Sequence, residues 1–154
     1  MSAEQRLAEL GLELPAAPEP KGLYRPLVIC GGLAYTSGHL PVEPSGEVIR
    51  GRLGHDMDLQ SGQRAALQAG LGILATLAKE LGGLDRVRRL VKLLGMVAST
   101  PDFDQQPAVI NAASQLLAHV FGPEAGVGAR TAAGVSGLPL GAAVEIEAIF
   151  EVET

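Results

Sequence analysis

Arg130 is the one charged residue between Glu124 and Glu145. Its immediate neighbours are Ala129, Thr131, Ala132 and Ala133, so no acidic residue adjoins it in sequence. A guanidinium keeps its charge at any working pH, and its planar fork matches a carboxylate. Two readings are open: a buried acid elsewhere in the chain holds the charge, or Arg130 receives an anion from outside. Glu145 follows fifteen positions later, at the head of "EIEAIFEVE". A carboxylate drawn partly out of water has a raised pKa and can orient a water or pass a proton. The competing reading is a solvated strand face shared with Glu147, Glu151 and Glu153.

Other groups carry less chemistry. Cys30 is the single cysteine, so no internal disulfide forms, and its strand-like setting suits a small core residue. His39, His55 and His119 have no metal-ligand spacing, and Asp58 in "HDMD" reads as a helix cap, so no metal is expected. Arg86, Arg88, Arg89 and Lys92 form the only basic cluster and read as a solvated edge. The net charge of −5 and 3% aromatic content disfavour nucleic acid as the main partner. Neither a signal peptide nor a membrane span is expected, which makes a reducing cytoplasm the default location.

The chain has 154 residues, 47% hydrophobic and 19% charged, enough for one packed domain. Mean hydropathy of +0.23 points to apolar surface buried between subunits. Residues 1–20 read as an extension: a helix from Ser2 to Leu10 with capping-box spacing at Ser2 and Gln5, then the Pro-rich "LPAAPEP". The domain proper is expected over 21–154. Two short strands flank Gly31-Gly32. A helix is expected from Asp58 to Leu81, closed by Gly82-Gly83, and a strand from about Arg88 to Ala98. A second helix is expected to start at Asp102 or Asp104 and end at Phe121. Strict alternation from Val144 to Val152 marks a half-buried strand. The order is α+β, with helices on one face of a single sheet.

"LAYTSGHLPV", "VFGPEAGVGARTAAG", "LPLGAAVEIEAI" and the helix bearing Asn111 together resemble the YjgF/RidA family, also named the L-PSP endoribonuclease or liver perchloric-acid-soluble protein family. The resemblance covers about Tyr24 to Val152 and is nearest to a longer bacterial, chorismate-mutase-like branch. It implies a chorismate-mutase-like fold: one mixed sheet with two main helices on one face. It implies a homotrimer with clefts between subunits. It implies enamine/imine deaminase activity without a cofactor, giving 2-oxo acids and ammonia from small carboxylate-bearing substrates. A non-catalytic carboxylate-binding trimer and an endoribonuclease or translation inhibitor are the alternatives. By the same resemblance, Arg130 and Glu145 are catalytic, while Tyr24, Ser37, Gly38 and Asn111 bind substrate. Ala132 stands where common members carry cysteine, and Gly22-Leu23 where Gly-Pro is usual.

Overall fold

The computed structural model describes all residues, Met1–Thr154. Helix α1 (Ala3–Glu9) starts at the expected capping box: Ser2 Oγ accepts from Gln5 N at 3.1 Å, and Gln5 Oε1 accepts from Ser2 N at 2.8 Å. Strands β1 (Leu27–Cys30) and β2 (Leu33–Thr36) form a hairpin. Its turn residues, Gly31 and Gly32, have φ of 59° and 80°, which two-residue hairpins require and side chains resist. Helix α2 (Leu59–Leu81) is capped by Asp58, whose carboxylate accepts from Ser61 N at 2.8 Å. A 3-10 turn over 84–86 leads into β3 (Val87–Ala98).

Helix α3 spans Gln106–Phe121, so the expected start at Asp102 or Asp104 is corrected. Pro107 sits in the first turn, where its missing N–H costs nothing. A start at Asp102 would push that proline deep enough to need the hydrogen bond it lacks. Gln106 also folds back, donating to the Phe103 carbonyl at 2.8 Å, which fixes the turn before the helix.

Strands β4 (Ala129–Val135) and β5 (Val144–Val152) complete a five-stranded sheet in the order β1-β2-β5-β3-β4. Only β3 and β4 run parallel, so the sheet is mixed, and α3 supplies the crossover that a parallel pair needs. Along β5, Val144, Ile146, Ala148, Phe150 and Val152 are buried against the helices. Glu145, Glu147, Ile149 and Glu151 point to the other face and are half-buried. No helix is long and apolar enough to cross a membrane.

The core lies between sheet and helices, around Ile73, Leu77, Val97, Ile110, Leu117 and Phe150. Phe150 packs edge-on to Phe121 with ring centroids 6.0 Å apart. Phe150→Ala should therefore cost about 3–5 kcal/mol of stability, read as a lower urea midpoint. The extension joins this core: Leu7 is buried, Glu4 accepts from Leu84 N at 2.8 Å, and Asp85 accepts from Ala3 N at 2.8 Å. No helix covers the opposite sheet face. It leaves Val28 and Tyr35 exposed, with Leu94, Met96 and Ile149 partly so. A hollow of about 420 Å³ lies there, lined by Tyr35, Lys92, Leu94, Thr131, Glu147 and Ile149 among others.

Candidate functional site

The expected site residues fall into two groups. Arg130 pairs with Leu93 in the parallel register, which turns its side chain to the helix-covered face. There its Nη1 donates to Asn111 Oδ1 at 2.7 Å and to Ser114 Oγ at 3.2 Å. Asn111 and Ser114 are three apart on α3, hence on one face of that helix. No carboxylate lies within salt-bridge distance of Arg130, whose side chain is exposed. The reading of a buried acidic partner therefore fails within the chain. Two neutral acceptors orient the guanidinium and leave its charge and remaining donors uncommitted. Beside it is a small hollow of about 150 Å³ lined by Leu90, Leu93, Ser114 and the chain at 126–129.

The second group surrounds Glu145. Glu145 pairs with Met96 and faces the uncovered side of the sheet. Burial, with a smaller push from the Glu147 carboxylate, raises its carboxyl above the ordinary glutamate range. Gly38 packs directly on it: a Cβ at Gly38 would collide with the Glu145 carboxylate. Gly38 has no left-handed φ, so glycine is needed here for room rather than for backbone angle. Gly38→Ala should force the carboxylate aside and lower any turnover that depends on it about tenfold or more, with little change in folding. Kinetics together with a melting curve check this.

Ser37 is tied to the segment before β1. Its N–H donates to Pro26 O at 2.9 Å and its hydroxyl to Arg25 O at 2.5 Å. That places Tyr24, which is 52% exposed, one residue from Ser37's anchor. The Gly38 N–H donates to no protein group and is free for a ligand. Ser37, Gly38 and Glu145 thus form one neighbourhood, with Tyr24 on the chain leading into it, and Arg130 with Asn111 forms another. Two strand spacings, about 10 Å, and about 10 Å of strand separate them, on opposite sheet faces.

Three residues went unrecognised in the sequence. Ser114 shares Arg130 with Asn111. His39, 3% exposed, links Ser37 to Thr76 of α2. Nothing local in sequence marks these partners, which are 16 and 37 positions from their mates. Of the basic cluster, Arg86 is structural: it donates to Leu81 O at 3.1 Å, at the end of α2, and to Glu153 O at 3.3 Å. Cys30 is exposed rather than in the core, which corrects the expectation, because β1 is an edge strand. His, Cys, Asp and Glu side chains nowhere gather in threes that could hold a metal ion.

Residues 4–151 match the family described as "YjgF/chorismate mutase-like, putative endoribonuclease". The chain belongs to the YjgF/chorismate-mutase-like family. It is 43% identical over 146 residues to protein TCP17 of Trypanosoma cruzi, covering 95% of this chain and 91% of that protein. A protein of unknown function from Agrobacterium tumefaciens is 47% identical and superposes with a TM-score of 0.88, over 98% of this chain and 94% of that one. A "putative endoribonuclease" from Shewanella oneidensis, 31% identical, superposes at 0.94 over 99% of this chain and 100% of its own. The YjgF-type fold expected from the sequence, with one mixed sheet under the two main helices, is therefore the fold of this family member.

Proposed function

We propose that the protein hydrolyses reactive 2-imino and 2-enamino acids to 2-oxo acids and ammonia, in clefts between the subunits of a homotrimer. The observation that carries this reading is the state of Arg130: oriented by Asn111 and Ser114, yet lacking any acidic partner. Such a group suits a substrate carboxylate, which it would grip with the parallel donors of its fork. The hollow beside it suits a short aliphatic side chain.

Arg130 and Glu145 of one chain face opposite ways, so the site draws them from two chains. Arg130 and Asn111 of one subunit meet Tyr24, Ser37, Gly38 and Glu145 of the next. The apolar side chains left on the uncovered sheet face favour burial against other copies. The chemistry needs no metal or organic cofactor, because a protonated imine is already electrophilic. Glu145 orients a water against the imine carbon and takes one of its protons. The nitrogen, protonated in turn, leaves as ammonia while the C=O bond forms. Positioning and proton transfer are the effects this asks for.

The test is a coupled reaction. A threonine dehydratase releases the short-lived imine in the presence of semicarbazide, which traps whatever is not hydrolysed. Addition of this protein should lower the semicarbazone yield; an unchanged yield with imines of several sizes sinks the reading and favours a non-catalytic carboxylate-binding protein. The endoribonuclease reading has a separate check. RNA held through phosphates should bind at low salt and dissociate steeply as salt rises. With Arg86 committed to backbone carbonyls and a net charge of −5, no such binding is expected.

A further inference from the structure

His39 occupies the step between the ligand-facing turn and the core. Its backbone exchanges hydrogen bonds with Ile146, the residue after Glu145, at 2.7 and 3.1 Å. Its ring is 3% exposed, with Nδ1 2.7 Å from Ser37 O and Nε2 2.7 Å from Thr76 Oγ1, itself 1% exposed. A carbonyl oxygen can only accept, so Nδ1 carries the hydrogen. Burial lowers the imidazole pKa, which keeps the ring neutral. Nε2 is then bare and accepts from the Thr76 hydroxyl. One tautomer satisfies both partners.

The bond to Ser37 O has a consequence for Gly38. That oxygen and the Gly38 N–H belong to one planar trans peptide unit, and they point in opposite directions. Holding the oxygen toward α2 therefore aims the N–H away from it. This is the amide that no protein acceptor uses, on the residue packed against Glu145. Hydrogen bonding at the carbonyl also polarises the amide and makes it a better donor.

We propose that His39, its Nδ1–H tautomer fixed by the Ser37 carbonyl and its Nε2 satisfied by the Thr76 hydroxyl, is a positioning residue that presets the Gly38 N–H as the donor to an oxygen of the bound substrate. The inference rests on the imine-hydrolysis reading for its substrate, but two of its tests need no turnover. Ring ¹⁵N spectra, assigned with His39→Asn, should show a protonated Nδ1 and a bare Nε2 for His39 at neutral pH. The opposite tautomer, or a ring protonated on both nitrogens at neutral pH, overturns the proposal. Titration with 2-oxobutyrate, a stable product-like acid, should shift the Gly38 amide resonance; an unmoved amide overturns the donor role.

The kinetic arm separates positioning from packing. Asparagine can place an N–H near the Nδ1 position, whereas glutamine reaches toward Thr76 and abandons Ser37. His39→Asn should keep kcat/KM within about threefold, and His39→Gln should lose about tenfold or more, as for an aligned donor. Equal losses in both, or a fall in Tm alone, would assign His39 to core packing and overturn the proposal. Absence of imine hydrolysis by the wild-type protein sinks the reaction, while the tautomer and the Gly38 response still decide His39.

Discussion

Replacing Arg130 with alanine should lower kcat/KM for imine hydrolysis by about 10²–10³-fold, the scale expected when one side of a desolvated charge pair is removed. The assembly should survive. Arg130 is exposed in the single chain, and its partners Asn111 and Ser114 are neutral side chains that water can satisfy once it is gone. Arg130→Lys keeps the charge but not the fork, and should recover only part of the loss. The semicarbazone assay reads the activity, and size-exclusion chromatography reads the assembly. Full turnover by Arg130→Ala would remove the arginine from the mechanism.

Glu145→Gln keeps the side chain's shape and removes its charge. Turnover should fall by about 10²–10⁴-fold, the range for loss of a positioned acid or base, while binding of a 2-oxo acid persists. Stability should move the other way. The folded protein raises the Glu145 carboxyl because burial, then Glu147, disfavours its charged form. Above that raised value the folded state holds a charge it would rather lose, and the glutamate costs stability. Below the ordinary glutamate range both folded and unfolded chains are protonated, and the cost is gone. Glu145→Gln should thus melt higher than wild type at neutral pH, with the difference vanishing toward pH 3. Equal melting temperatures at neutral pH would mean the carboxyl is better solvated than its setting beside Gly38 indicates.

What the sequence could reveal depended on how local each signal was. The alternation along β5 and the caps of α1 and α2 act over a few residues, and each forms where its pattern predicts. Pro107 carried the correct start of α3, but two aspartates upstream offered a more familiar cap. The lone charge of Arg130 was visible; that Asn111 and Ser114 hold it required knowing which face of α3 meets β4. The opposition of Arg130 and Glu145 across the sheet needed the β3–β4 and β3–β5 registers, which no spacing in the chain encodes. His39 was passed over because its meaning comes from Thr76, brought to it by the packing of α2 on the sheet.

The proposed site is divided between chains. Arg130→Ala and Glu145→Gln subunits, each inactive alone, should regain activity when unfolded together and reassembled. In a cyclic assembly each cleft needs an intact arginine from one subunit and an intact glutamate from the next. Random mixing of equal amounts meets both conditions in about one cleft in four, so about a quarter of wild-type turnover should return. Recovery near that level would establish a shared cleft built from Arg130 and Glu145. Mixed assemblies that form but stay inactive would contradict it, because the two residues would then serve the same chain or no common site.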